Sequence, residues 1–285
     1  MPSYRFCRTD DIGLLVDALN RCWAPHVPDE PLMTTAAFKR SIRDLQVWCS
    51  SCMVAFAGRD PIAVLIGAKR TSATLVHRIA VHPDHRRQGH ARHMLASLGS
   101  KLAILGPPTM SAEVPQGLFP AARLFEKCGF AEDVRLADYV LREDGHDEHA
   151  APNSGAFVIP VTIDDLAANG LLDTMSPAVA WERSHETLNA RKGEIEGLAI
   201  ASDERIEAFV LYTTQQEIVA LQSVVADDGA RMKELLSRLH ARGMRSLQYR
   251  KVHPSEIPQE CLTALGFRHA GEHVLSSRPA QSGRG

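Results

Sequence analysis

The most chemically distinctive part of the sequence is HPDHRRQGHARH, residues 82–93. It holds four histidines and three arginines around a single glycine, and Asp84 is its one acidic residue. Histidine is a common metal ligand, whereas arginine donates several hydrogen bonds to phosphate oxygens from one planar group. These residue types suit a metal site, a nucleic-acid surface or a phosphate site.

The predicted elements on either side of this basic stretch favour phosphate. Leu75–Val81 is predicted as a strand that ends at His82-Pro83, and apolar residues then recur at helical spacing from Ala91 to Leu105. The N–H groups at a helix N-terminus lack intrahelical partners, and the helix dipole adds partial positive charge there. Gly89 would let the backbone approach an oxyanion closely, and the arginines would neutralise its charge.

Three other interpretations stay open. A zinc site could use His82, His85, His90 and His93, but no cysteine lies nearby and the arginines would repel the cation. The stretch could also be a solvated basic turn without a ligand. Major-groove recognition is the weakest of the three, because it needs more positive surface than a pI near 6.7 indicates.

Composition places the chain among ordinary globular proteins. Its 285 residues suggest two domains, 45% are hydrophobic, and the net charge is −2. We therefore expect no nucleic-acid or membrane partner. No apolar run approaches the ~18 residues of a membrane span, and no apolar segment typical of a signal peptide follows the start. Six scattered cysteines are typical of reduced thiols, so we expect a cytoplasmic protein.

Loop-forming residues divide the chain. Residues 142–156 lack a periodic apolar pattern and are rich in charge, Pro, Asn, Ser and Gly, so residues 146–156 are predicted as a linker between a first domain, 1–145, and a second, 157–285. In the first domain, two helices precede three strands, the basic stretch, a long helix, a strand, a helix that ends at Gly129, and one or two last strands.

Three motifs in this order resemble the GNAT superfamily, the acyl-CoA-dependent N-acyltransferases. Arg86-Arg87-Gln88-Gly89-His90-Ala91 matches the Q/R-x-x-G-x-G/A signature of that family. The preceding Ile79-Ala80-Val81-His82-Pro83 is similar to its V-x-P strand exit, and Leu124–Phe130 is similar to its later LYEKLGF helix. The resemblance implies an α/β fold with an α+β mixed sheet.

The resemblance also implies acetyl-CoA as co-substrate, without a metal. The N–H groups of residues 87–91 would hold the pyrophosphate, the strand backbone at Ile79 and Val81 would pair with the pantetheine arm, and Arg86 or Arg92 would reach the outer phosphates. The implied cofactor-binding residues are Ile79, Ala80, Val81, Arg86, Arg87, Gln88, Gly89, His90, Ala91 and Arg92.

Acyl transfer to an amine needs a base, because an ammonium must lose a proton before its nitrogen attacks. Some GNAT enzymes have a glutamate at the position of Leu75, which cannot serve. Ribosomal-protein N-terminal acetyltransferases instead have a glutamate twelve residues before a helix tyrosine, which is the position of Glu113 here. Glu113 is the preferred base and His77 a second candidate, although a solvent-facing carboxylate and a core histidine are the alternatives.

The chain departs from the family at two positions. The tyrosine usually offered as general acid is Phe125, and the asparagine seven residues earlier is Leu118. Tyr139 or water could protonate the leaving thiolate, or it could leave unassisted.

The second half repeats the pattern imperfectly, and Leu265-Gly266-Phe267 echoes Cys128-Gly129-Phe130. Its counterpart of the basic stretch is Ala226-Asp227-Asp228-Gly229-Ala230, whose carboxylates could cap the helix and would repel a phosphate. We therefore expect a divergent GNAT-like domain that does not bind CoA. Trp181-Glu182-Arg183 with Glu194 and Glu196 could line an amine site, or form a solvated face.

The sequence thus predicts two GNAT-like domains in tandem. We expect an N-acetyltransferase that moves an acetyl group to a primary amine of a small molecule or peptide held near the interdomain cleft, in a monomer or homodimer. The alternative is a CoA-binding regulatory or scaffolding protein without turnover.

Overall fold

The computed structural model describes residues 1–142, 157–172 and 179–280. The predicted linker, residues 146–156, lies outside the described residues. The chain forms two compact units. Unit 1 contains residues 1–134 together with the chain from Val274 onward, and unit 2 contains residues 135–273.

Strands and helices alternate along the chain as the periodicity predicts. The elements up to residue 142 are β1 (Ser3–Phe6), α1 (Ile12–Cys22), α2 (Thr35–Leu45), β2 (Met53–Ala57), β3 (Asp60–Lys69), β4 (Ala73–Val81), α3 (His90–Leu105), β5 (Thr109–Pro115), α4 (Phe119–Lys127) and β6 (Ala131–Arg142). The later elements are β7 (Phe157–Pro160), α5 (Ile163–Ala168), α6 (His185–Ala190), β8 (Ile195–Ala201), β9 (Ile206–Thr213), β10 (Glu217–Ser223), α7 (Ala230–Ala241), β11 (Ser246–Val252), α8 (Gln259–Ala264) and β12 (Arg268–Pro279). The predicted α/β class with a mixed sheet is confirmed.

The sheet of unit 1 has the order β1-β2-β3-β4-β5-β12-β6. Helix α3 buries Met94, Leu95 and Leu98 against one face, where β5 contributes alternate residues to the same cluster. Helix α1 packs against β3 on the other face, where Val64 and Ile66 are buried. Both faces of the central strands are therefore covered, which explains the nearly continuous apolar run of β3.

The two parallel strands β4 and β5 pair only at their beginnings. Their register runs from Ala73 opposite Thr109 to Leu75 opposite Ser111, and no later pair is present among the described residues. A register irregularity in the neighbouring β3–β4 ladder, between Ile66 and Gly67, falls at the same level of β4. Such bulges bend a strand away from its neighbour. The C-terminal parts of β4 and β5 therefore diverge and leave a gap between them.

The sheet of unit 2 has the order β12-β6-β11-β10-β9-β8-β7. Its core cluster joins α7, which buries Leu235, Leu236 and Leu239, to Tyr249 of β11. The parallel strands β10 and β11 pair at Glu217–Ile218 with Gln248–Tyr249, as β4 and β5 pair in unit 1. The repeat predicted from the second half is visible in this arrangement. Among the described residues no helix is long and apolar enough to cross a membrane.

Strands β6 and β12 contribute to both units, so the structure differs from a single division at the linker. The end of β12 belongs to unit 1, where Arg278 donates to the carbonyl oxygens of Cys128 at 2.7 Å and Leu95 at 3.0 Å. Its guanidinium also lies 5.2 Å from the ring centre of Phe130. Arg278 thus connects β12 to the C-terminal end of α4 and to α3.

We expect Arg278→Met to lower the free energy of unfolding by about 1–3 kcal/mol, because two carbonyl groups lose their charged donor inside the unit. Thermal and urea unfolding of the full chain would measure the change. Arg40→Met is the matched control, since Arg40 is exposed on α2. Equal stability of both variants would contradict a structural role for Arg278.

The sequence missed three elements. Strand β1 has only four residues and α6 only six, so neither gives a usable period. Strand β12 has twelve residues but few apolar ones, and its neighbours β5 and β6 lie more than a hundred residues earlier. Helix α5 ends at Ala168, because Gly170 takes a positive φ of 67°.

Candidate functional site

A cavity of about 730 Å³ in unit 1 is lined by the diverging parts of β4 and β5, the basic stretch, α4 and the segment after α1. Nearly all the predicted site residues line it. The lining includes His77, Ile79, Ala80, Val81, Arg86, Arg87, Gly89, His90, Ala91, Arg92 and Glu113, and of the predicted set only Gln88 is outside it.

The basic stretch forms a concave turn of backbone N–H groups. Arg87 and Gly89 both have positive φ, at 63° and 86°, and Gly89 is the N-cap of α3. Within the described chain, no N–H group of residues 87–92 donates to another backbone group outside α3 itself. Alternating backbone conformations that turn successive N–H groups to one side make anion sites. The turn therefore fits a phosphate or pyrophosphate.

Two of the groups predicted to contact the cofactor, the Arg86 guanidinium and the Val81 carbonyl, are hydrogen-bonded to His26. Since an arginine can only donate, the 2.9 Å contact of Arg86 Nη2 with His26 Nδ1 makes that nitrogen the acceptor. His26 Nε2 then carries the proton, and it donates to the carbonyl oxygen of Val81 at 3.0 Å. A ligand that used Arg86 and the Val81 carbonyl would have to displace His26.

His90 contributes structure to the turn. Its side chain is buried, and its Nδ1 lies 2.6 Å from the hydroxyl oxygen of Tyr4. Burial lowers its pKa, and the neighbouring His85 and His93 lower it further. His90 therefore adds no positive charge to the turn near pH 7.

The structure offers no metal centre within the described residues, where no group of three or more His, Cys, Asp or Glu side chains could hold an ion. The ring centres of His82 and His85 are 5.9 Å apart, in an edge-to-face arrangement. Cys49 and Cys52 are free thiols, and burial raises the pKa of both, which makes them poor nucleophiles.

Glu113 lies on β5 where that strand has left β4. Burial alternates along β5, so Ala112 and Val114 pack in the cluster with α3 while Glu113 is half-buried and lines the cavity. His77 lines the cavity from β4, in the irregular part of the ladder between Arg78 and Val76. Both candidate bases therefore face one cavity from neighbouring strands.

The residues at the family's tyrosine and asparagine positions line the cavity without polar groups. Phe125 is 5% exposed and meets Phe130 edge-to-face with ring centres 4.9 Å apart. Leu118 is partly exposed at the cavity wall. Tyr139 lies in the buried core of unit 2. Among the described lining residues, no side chain has a hydroxyl or thiol group.

In unit 2, the turn that corresponds to the basic turn has its N–H groups capped by the carboxylate of Asp227. Asp227 accepts hydrogen bonds from the N–H groups of Gly229, at 3.2 Å, and Arg231, at 2.9 Å. Arg231 also donates to it from Nη1 at 3.1 Å. Burial acts to raise the pKa of Asp227, but the backbone and side-chain donors of Arg231 outweigh burial and hold that pKa below its usual value.

The space around this second turn is filled. A Cβ atom at Gly229 would meet Leu265, Cys261 and Met232 at 3.5–3.7 Å, whereas one at Gly89 would meet nothing within 4 Å. The predicted charged group is split between core and surface: Arg183 is 4% exposed and donates to Tyr249 Oη and to the Arg250 carbonyl oxygen, each at 3.0 Å, and to Glu256. Glu194 and Glu196 are exposed, as the alternative of a solvated face predicts.

We expect Asp227→Ala to leave acetyl-CoA affinity within about twofold, less than ~0.5 kcal/mol, while lowering the free energy of unfolding by about 1 kcal/mol through loss of the cap. Because the pKa of Asp227 is lowered in the folded state, this contribution is full above the unfolded value of about 3.9 and disappears as pH falls through the folded-state pKa. Calorimetry and unfolding at pH 7 and pH 3 measure both effects.

Asp228→Asn is the control for Asp227→Ala, because it removes a neighbouring exposed charge and keeps a residue that tolerates the φ of 50° at this position. A loss of acetyl-CoA binding in Asp227→Ala alone would contradict the prediction that acetyl-CoA binds in unit 1.

Comparison with known proteins agrees with this geometry. Residues 48–132 match the family described as acetyltransferase (GNAT) domain, and the match spans β2 to the start of β6. No curated protein sequence matches the chain significantly.

Many solved structures resemble the chain, and three of them match nearly its whole length as follows. A tandem GNAT protein from the clavulanic acid biosynthesis pathway is 17% identical, with 99% of each chain covered and a TM-score of 0.66. A GCN5-related N-acetyltransferase from Sphaerobacter thermophilus is 15% identical, with coverage of 99% and 96% and a TM-score of 0.67. A putative acetyltransferase from Pyrococcus horikoshii is 15% identical, with coverage of 98% and 90% and a TM-score of 0.62.

The resemblance predicted from the motifs is thereby confirmed. Residues 48–132 match the GNAT acetyltransferase domain, and the whole chain has the fold of tandem GNAT proteins. The identities are low enough that the structural similarities establish the fold and nothing finer.

Proposed function

We propose that this protein is an N-acetyltransferase that moves an acetyl group from acetyl-CoA to the primary amine of a small molecule or peptide. The observation that supports it best is the cavity between β4 and β5, which joins an anion-binding turn at one end to Glu113 and His77 in its wall. An extended ligand with phosphates at one end and a reactive group at the other fits this arrangement.

The residues of unit 1 suit acetyl-CoA in three respects. The unpaired N–H groups of residues 87–92 would hold its pyrophosphate, with Arg86, Arg87 and Arg92 neutralising the charge. The open space beside Gly89 leaves room for phosphate oxygens. Beyond Leu75 and Ser111 the strands β4 and β5 do not pair, so β4 offers backbone groups at Ile79 and, once His26 is displaced from its carbonyl, at Val81 for the amides of the pantetheine arm. When bound, acetyl-CoA would supply a thioester carbonyl as the electrophile.

Glu113 accepts the proton that the acceptor's ammonium must lose before its nitrogen attacks. His77 is the second candidate for this proton transfer. The described cavity wall has no hydroxyl donor, so the thiolate leaves unassisted or takes a proton from water, which suits a thiol of pKa near 8.5. The apolar Phe125 keeps that part of the wall dry and packed.

A panel of primary amines tests the proposal, with release of free CoA thiol as the readout and calorimetry of acetyl-CoA binding as the companion measurement. We expect one acetyl-CoA per chain and amine-dependent thiol release. Binding without release for any amine would favour a CoA-binding regulatory or scaffolding protein, which the loss of the tyrosine at Phe125 would then explain.

The proposal extends to the setting of the reaction. A net charge of −2 and six free cysteines suit a protein that acts in the cytoplasm without a nucleic-acid or membrane partner, as a monomer or homodimer. The proposed co-substrate acts without a metal.

A further inference from the structure

The side of the sheet from which an acceptor approaches Glu113 is defined by β5. Met110, Ala112 and Val114 pack in the buried cluster with α3, so Glu113 faces the opposite side of the sheet. On that side the cavity wall comes from the segment after α1, at Trp23, His26 and Val27. An amine that approaches Glu113 from this side therefore lies against this segment.

Arg78 of β4 is held against the same segment. Its guanidinium lies 4.8 Å from the ring centre of Trp23, and its Nη1 donates to Glu30 at 3.1 Å. The indole nitrogen of Trp23 donates to the same carboxylate at 3.2 Å. These contacts fix the plane of the guanidinium.

The guanidinium of Arg78 keeps donors for a ligand. Glu30 is its only acceptor within the described part of the chain, which leaves most of its five N–H groups for the cavity that Arg78 lines. The ion pair with Glu30 is weak, because the Glu30 side chain is 45% exposed and water screens the pair. An incoming carboxylate can share or replace it.

Arg78 lies at the end of the cavity away from the basic turn. It precedes Val81, the last residue of β4, by three positions, or about 10 Å along a strand. Arg78 and Glu113 are thus a cation and an anion on neighbouring strands that line one cavity. A zwitterionic acceptor would match this pair of charges.

We propose that Arg78 binds a carboxylate of the acceptor, so that the substrate is an amine that also bears a carboxylate, such as an amino acid or a short peptide. The inference rests on the proposed function and adds the substrate class to it. A planar guanidinium binds a carboxylate through two parallel hydrogen bonds, so the carboxylate at Arg78 fixes where the amine lies relative to Glu113.

Matched acceptor pairs test this substrate class. Each pair consists of an amino acid, or β-alanine, and its amide, and kcat/KM is measured for both by thiol release. The wild-type protein is expected to prefer the acid by at least about tenfold in one or more pairs. Arg78→Gln should abolish the preference by lowering kcat/KM for the acid while leaving that for the amide nearly unchanged, and Arg78→Lys should retain part of it.

Arg21→Gln is the matched control, because it removes an arginine–carboxylate pair of unit 1, with Asp60 at 3.2 Å, that does not line the cavity. Equal rates for acid and amide in the wild type would overturn the inference and leave the proposed function standing. An equal loss for both in Arg78→Gln would also overturn it, since that is the result of a merely structural arginine. No thiol release with any amine would overturn the proposed function and the inference together.

Discussion

Glu113→Gln is expected to lower kcat/KM by about 10²-fold or more at pH 7, with part of the loss recovered as pH rises. The amide has the shape of the carboxylate but cannot take the proton of the acceptor's ammonium, and general base catalysis contributes on this scale. At higher pH the amine is increasingly free of its proton before it binds, so the variant regains rate. The pH profile of kcat/KM, measured by thiol release, is the readout.

His77→Gln and Glu126→Gln complete this experiment. His77 lines the cavity from β4 and takes the role of base if Glu113→Gln leaves the rate at pH 7 unchanged. Glu126 is an exposed carboxylate on α4 that does not line the cavity, so its loss controls for a general effect of charge. Unaltered acetyl-CoA affinity in all three variants would separate a loss of chemistry from a loss of cofactor binding.

The fold was predictable where local pattern and local structure coincide. The apolar spacing from Ala91 to Leu105 gave α3, whose bounds are His90–Leu105, because this helix buries one stripe against the sheet. Gly129 ends α4 with a φ of 82°, as a glycine after a helix often does. The basic turn was also local, since its N–H groups and its glycine are consecutive in sequence. These features needed no knowledge of distant residues.

The features that escaped prediction depend on partners far away in sequence. Strand β12 is stabilised by β5 and β6, so the sequence from Arg268 to Pro279 carries little strand signal of its own. A first domain cut at residue 145 would lack the end of this strand and would leave β5 and β6 without that neighbour. Likewise, Glu30 is paired with Arg78, 48 residues later, and the sequence around neither residue predicts this contact.

Gly89→Glu is expected to reduce acetyl-CoA affinity by at least about 100-fold, or roughly 2.7 kcal/mol, in an otherwise folded protein. A Cβ atom at Gly89 meets no protein atom within 4 Å, so the new side chain enters the open space beside the turn. Its carboxylate would then stand where the phosphates bind and would repel them. Calorimetric titration with acetyl-CoA measures the loss directly.

Backbone strain is the competing explanation for a loss in Gly89→Glu, and Gly129→Glu isolates it. Gly129 has a φ of 82°, against 86° at Gly89, and a Cβ there also meets nothing within 4 Å. Both variants thus bear the same new charge and a similar cost of about 1–2 kcal/mol for a left-handed non-glycine residue. If Gly129→Glu loses similar stability but keeps its affinity for acetyl-CoA, the loss of affinity in Gly89→Glu reflects damage to the anion site and not backbone strain. Full acetyl-CoA affinity in Gly89→Glu would instead show that the phosphates do not bind at this turn.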